Sequence, residues 1–139
     1  MYIPKYFKIY ELVPPEVYDS TNDKDKLWFL FDDRILQIAD VLREKFGKMV
    51  CNTWWWGGNS KYRGYRPFDC KVGAKYSQHK FGRALDLVPL EAPVDKVRQH
   101  LIDNYELYRR YVTGIELGVS WLHIDCRNWH DAKPYLFGK

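Results

Sequence analysis

The chain has 139 residues, 46% hydrophobic, 17% aromatic and 29% charged, a balance that excludes a disordered tail or a collagen-like fibre and leaves room for one domain of ordinary size. Lys and Arg number 22 against 18 Asp and Glu, a formal charge of +4. This favours anionic partners, whether nucleic acid, acidic wall polymer or carboxylate-bearing substrates, without choosing among them.

Residues 1–26 mix prolines, tyrosines and charges. A short strand is expected around Tyr6–Tyr10, and Pro14-Pro15 excludes a continuous element. Leu27, Leu30, Phe31, Ile35, Ile38, Val41 or Leu42, and Phe46 recur at three- and four-residue steps, which predicts one amphipathic helix from Leu27 to Phe46 that stops at Gly47. A strand is expected over Met49–Trp54, followed by a long loop from Trp56 to Gly73, rich in Gly, Tyr and Arg. A second strand is expected over Ala84–Val88. Val94, Val97, Leu101, Tyr105, Tyr108 and Val112 mark a second helix ending near Gly114, and a third strand follows the Gly118 turn, over Trp121–Cys126. The expected class is α+β, a small antiparallel sheet with two main packed helices. One domain spans 1–139, with residues 1–26 as an N-terminal extension packed on it.

No apolar run approaches a membrane span, so no stable membrane insertion is expected. Met1-Tyr2-Ile3-Pro4-Lys5 lacks the basic-then-apolar order of a secretory signal, which implies synthesis in the cytoplasm. Cys51, Cys70 and Cys126 form no CxxC pair. They read as three reduced thiols, with one disulfide left open for an oxidising space.

Four residues stand out as carriers of chemistry. In Ala84-Leu85-Asp86-Leu87-Val88, strand alternation puts Asp86 on the face opposite Leu85 and Leu87, and an acid there is costly to bury unless it is paired or bound to metal. In Leu122-His123-Ile124-Asp125-Cys126, His123 and Asp125 share one face, about 6–7 Å apart along the strand. His79 lies just upstream of Phe81-Gly82. A His, Asp and His from separate segments is a reasonable set of protein ligands for zinc with an open fourth position. Each of these residues alone also suits a satisfied core or surface role.

The run Ser77-Gln78-His79-Lys80-Phe81-Gly82-Arg83-Ala84-Leu85-Asp86 resembles the Ser-x-His-x-x-Gly-x-Ala-x-Asp signature of the zinc D-alanyl-D-alanine carboxypeptidases and endopeptidases. These are peptidoglycan peptidases that include phage endolysins and share the hedgehog-like metallopeptidase fold. Arg63-Gly64-Tyr65-Arg66-Pro67 is similar to the family's Gly-Tyr-Arg segment, and Gly118–Asp125 to its last strand. The likeness spans roughly residues 50–130. It implies Zn2+ held by His79, Asp86 and His123. It also implies Arg66 at the scissile carbonyl or the substrate carboxylate, and a substrate of bacterial peptidoglycan stem peptide. Ser120 stands where many relatives carry a catalytic Glu, and His123-Ile124-Asp125 resembles the His-x-Asp of phage members.

The general base is then Asp125 or Glu116, and the shared face with His123 favours Asp125. Trp54, Trp55, Trp56, Tyr65 and Ser77 are expected to wall the substrate cleft, although each ring equally suits packing. The resemblance further implies a phage-type lysin acting as a monomer on the cell wall, delivered by a holin or as a virion component. The rivals are a catalytically inactive virion or wall-binding domain, a hydrolase of non-wall peptides, and a nucleic-acid module. The last leaves the acid and both histidines unexplained, so no nucleic acid is expected.

Overall fold

After one short turn, α1 (Pro15–Tyr18), Asp32 sets the start of the longest helix, α2 (Asp33–Phe46). In the computed structural model, which describes Met1–Lys139, the Asp32 carboxylate accepts a hydrogen bond from the Arg34 amide at 3.0 Å. That satisfies one of the amides a helix start leaves bare. The helix expected from Leu27 is therefore two pieces. Lys24–Leu30 forms a 3₁₀ stretch, Phe31 is extended (φ −109°, ψ 142°), and the Asp32 amide donates to the Gly82 carbonyl at 2.9 Å. The apolar spacing runs across this break, so periodicity alone joins the two. Gly82 permits the close approach. It sits at φ +66°, where side chains are strained, and a Cβ there would collide with the Leu30 carbonyl.

Five strands form one sheet: β1 (Met49–Val50), β2 (Ala84–Pro89), β3 (Gly114–Leu117), β4 (Leu122–Asp125) and β5 (Tyr135–Gly138), in the order β1-β2-β4-β3-β5. Neighbours are antiparallel except β3 and β5, which are parallel. The sheet is thus mixed rather than antiparallel, because the chain passes over β3 after β4 and adds β5 at the edge. The strand expected over Met49–Trp54 stops at Val50, and Trp54–Trp56 forms a 3₁₀ turn. The second main helix, α3 (Val94–Asp103), ends at Asn104 (φ −114°, ψ 30°), which separates it from the turn α4 (Tyr105–Tyr108). Ile9–Glu11 is a 3₁₀ turn in place of the expected strand. No helix is long and apolar enough to cross a membrane.

The core lies on one face of the sheet. Leu85 and Leu87 of β2 and Leu122 and Ile124 of β4 pack with Ile35, Leu36 and Leu42 of α2 and Val97 and Leu101 of α3 in one buried cluster. Side chains of this size contribute about 1.5–3 kcal/mol each on burial. Phe7, Leu12 and Val13 enter the same cluster, so the N-terminal segment is part of the core. Cys51 and Cys126 are buried and all three cysteines are free thiols. Burial pushes the Cys126 thiol up to about 12, which keeps it protonated and inert.

Two buried charges fix the elements around the core. Arg98 on α3 donates to the Val119 and Trp121 carbonyls, both at 2.8 Å, and so pins the turn that feeds β4. Asp40 on α2 accepts from the Tyr2 hydroxyl at 2.5 Å, the Lys5 amide at 2.7 Å and the Tyr6 amide at 3.0 Å. Asp40→Ala strands those donors, and it should lower the unfolding free energy by about 2–4 kcal/mol in urea titrations, the scale of lost charged hydrogen bonds. A change within ±0.5 kcal/mol would show that the N-terminal segment is held by its apolar side chains alone.

Candidate metal centre

The register of β2 and β4 sets Asp86 opposite His123 and Ala84 opposite Asp125. The Asp86 amide donates to the Arg63 carbonyl at 2.7 Å, on the side away from β4. Asp86 and His123 are therefore a non-hydrogen-bonded pair, the kind that brings side chains closest. Because Leu85, Leu87, Leu122 and Ile124 face the core, Asp86, His123 and Asp125 share the other face. His79 comes to them from a 3₁₀ turn, Gln78–Phe81, which Ser77 caps by accepting from the His79 amide at 3.3 Å.

His79, Asp86 and His123 are all buried, and each offers a ligand atom within 4.8 Å of the other two. His79 Nδ1 donates to the Gly64 carbonyl at 2.8 Å. A carbonyl only accepts, so Nε2 is the nitrogen left with a lone pair. That nitrogen is buried with no hydrogen-bond partner. It lies 3.3 Å from Asp86 Oδ1, out of line for a hydrogen bond. The same oxygen is 2.8 Å from His123 Nδ1. A buried lone pair facing a carboxylate oxygen is unfavourable unless a cation lies between them. The cluster therefore fits a metal ion, and two imidazole nitrogens with one carboxylate oxygen are a donor set that suits divalent first-row metals.

Behind the cluster, His123 Nε2 donates to Asp125 Oδ2 at 2.8 Å. Asp125 is fully buried, and Arg127 occupies both its oxygens, with Nε 2.8 Å from Oδ1 and Nη2 2.7 Å from Oδ2. Gly114 stands opposite on β3, where a Cβ would intrude on the carboxylate and lie 2.7 Å from Arg127 Nε. A carboxylate behind a ligand imidazole fixes the ring's tautomer and orientation.

The charges follow from these contacts. Burial opposes a positive His123, but the Asp125 and Asp86 carboxylates outweigh it and raise its pKa to about 9. Burial likewise opposes a charged Asp86, yet its hydrogen bond from His123 and the positive charge of that imidazole hold it well below the usual carboxylate range. Asp125 is brought down to about 2 by Arg127 and His123, against the effect of burial. His79 is held below its ordinary value by burial, which keeps it neutral and ready to donate its lone pair.

A cleft of about 430 Å³ opens on the cluster, lined among others by Arg66, Ser77, Glu116, Arg127 and the rings of Tyr76, Trp121 and Phe137. Arg66 is anchored by Nε to the Tyr62 carbonyl at 2.7 Å. Its Nη atoms reach Val72, Ser77 and Asp86 only at 3.5 Å, so they keep donor capacity for an incoming anion.

The structure thus brings His79, Asp86, His123, Arg66, Ser77 and Glu116 to one cleft, with Asp125 sealed behind it. Trp54, Trp55, Trp56 and Tyr65 stand elsewhere. Trp54 and Trp55 donate to the Val13 and Asn52 carbonyls and pack with Tyr18 and Tyr10. Trp56 leans on Trp55, and Tyr65 meets Phe31 edge-on. The cleft rings are instead Tyr76, Trp121 and Phe137, which were not singled out in the sequence. Arg127 was missed too, although it follows His123 and Asp125 at strand alternation.

Comparison of the chain with protein-family models, curated proteins and solved structures finds no match in any of the three. A buried cluster geometrically able to hold a divalent metal ion is what the structure itself shows.

Metal must displace the proton on His123 Nδ1. With that pKa near 9, the proton is bound throughout the neutral range, so metal affinity should rise about tenfold per pH unit from pH 6 to 8 in chelator competition. A flat profile would mean that His123 is not a ligand. Asp125→Asn should weaken metal affinity about 10–100-fold, and unchanged affinity would leave Asp125 no part in holding the ring.

Proposed function

We propose that the protein is a zinc-dependent peptidase that cuts peptide bonds in peptidoglycan stem peptides. What carries the reading is the buried, unpartnered Nε2 of His79, converging with Asp86 and His123 on the floor of an open cleft. The signature run Ser77–Asp86 supplies the family likeness, and with it the hedgehog-like peptidase fold and the bacterial cell wall as site of action.

In this reading His79 Nε2, Asp86 Oδ1 and His123 Nδ1 hold the ion. When bound, zinc supplies Lewis acidity, lowering the pKa of a water and polarising a carbonyl. Glu116 is the general base. It is the one carboxylate besides Asp86 among the cleft-lining residues, and it takes the water's proton and returns it to the leaving amine. Asp125, its oxygens already engaged, orients His123. Arg66 turns its free Nη donors to the developing oxyanion or the substrate's carboxylate. Tyr76, Trp121 and Phe137 exclude water around the peptide.

One observation favours a second reading, an inactive wall-binding or virion domain. Ser120, where relatives of this kind carry a catalytic Glu, is exposed. Digestion of purified peptidoglycan fragments, followed by mass spectrometry, decides between them. The zinc-loaded chain should release peptide, and Glu116→Gln should lower turnover about 10²–10⁴-fold with metal content unchanged. Wild-type turnover in Glu116→Gln would move the base elsewhere. Wall binding with no cleavage by the zinc-loaded wild type would establish the inactive reading. Arg66→Lys, which keeps charge but loses the planar fork, should cost about 10²-fold or more in turnover.

A further inference from the structure

Lys80 is buried without a carboxylate to meet it. It follows His79 in the Gln78–Phe81 turn, but where His79 faces the metal cluster, Lys80 lines a second cavity of about 380 Å³ with Phe68, Asp69, Lys71 and Lys75. Gly73 borders both this cavity and the metal cleft. Only 8% of Lys80 is exposed, and no carboxylate comes within ion-pair reach of it. The ammonium sits 5.6 Å from the centre of the Phe68 ring. Lysine is almost never buried unless paired, and a ring face at that range does not replace an anion or water. The ammonium makes no hydrogen bond within the protein and is not among the sealed, unsatisfied atoms, so it keeps contact with solvent beside the cavity that Lys80 lines. Three lysines against one aspartate leave the lining with an excess of two positive charges.

We propose that this cavity binds an oxyanion, a carboxylate or a phosphate, with Lys80 as its buried contact and Lys71 and Lys75 at the rim. Two sources carry that chemistry. One is a second carboxylate of an acidic peptide lying in the metal cleft and crossing at Gly73. The other is a phosphate of an anionic wall polymer. Only the naming of these sources rests on the peptidase reading. The binding itself does not, and its test involves no turnover.

The test is an NMR titration of the full chain with inorganic phosphate and, separately, with glutarate. It follows the amides of Phe68–Lys71, Gly73 and Lys80. Saturable shifts at these amides are expected, weakened tenfold or more in Lys80→Met and retained in Lys80→Arg. A tighter response to glutarate assigns the peptide carboxylate, and a tighter response to phosphate assigns the polymer. Absence of saturable shifts with both ions, shifts confined to His79 and His123, or undiminished binding in Lys80→Met would each overturn the proposal. If Lys80→Met fails to fold, the exposed pair Lys71→Ala with Lys75→Ala decides it. That variant should weaken binding several-fold, and unchanged binding overturns the site.

Discussion

Asp86 and His123 face each other across β2 and β4, on the side of the sheet turned away from α2 and α3, and the surrounding structure holds that pair in place. Leu85, Leu87, Leu122 and Ile124 commit the opposite face to the core, so a register slip of one residue would drive the acid and the imidazole into apolar packing. The pair is tolerated in a buried position because its polar atoms find partners: Asp86 meets His123 and Arg66, and His123 a carboxylate at each nitrogen. The exception is His79 Nε2. In a polar network this tight, one unsatisfied atom is informative, since partly satisfied networks are costly.

The same network explains why the edge of the sheet matters. Asp86, His123, Asp125 and Arg127 form a chain of alternating charge, each member bonded to the next. Arg127 then lies over the rings of Tyr135 and Phe137 at 4.8 and 4.6 Å, and Phe137 meets the His123 ring edge-on at 5.4 Å. β5 therefore helps hold the His123 imidazole, although it is the last strand in the chain and pairs only with β3. Arg98 acts from the other side by anchoring the turn before β4. A site held from both sides is preorganised, so little is left for the ligands to rearrange when an ion arrives.

Much of this was legible in the residues. Alternation in Ala84–Val88 and Leu122–Cys126 placed Asp86, His123 and Asp125 on one face, and the helical stripes from Ile35 and Val94 matched the core. What was not legible came from tertiary contacts. The break at Phe31–Asp32 depends on the approach of Gly82, which lies far along the chain. β5 opens with three consecutive apolar residues that carry no alternation, β3 opens on Gly114, and their parallel pairing appears only once the chain has crossed β3. Asp125 was the expected base because alternation gives a side chain's face but not what occupies its oxygens. Arg127 occupies them. Trp54, Trp55 and Trp56 suggested a cleft wall by composition, yet the indole donors of Trp54 and Trp55 are spent on the Val13 and Asn52 carbonyls, and Trp56 leans on Trp55 away from the cleft.

His79, Asp86 and His123 are placed to hold one divalent metal ion between them. Elemental analysis of the purified chain beside His79→Ala, with circular dichroism to confirm that both are folded, tests it most directly. Close to one ion per wild-type chain is expected, with a sharp loss in the folded variant. A metal-free wild type after incubation with zinc, or full metal content in His79→Ala, would contradict it.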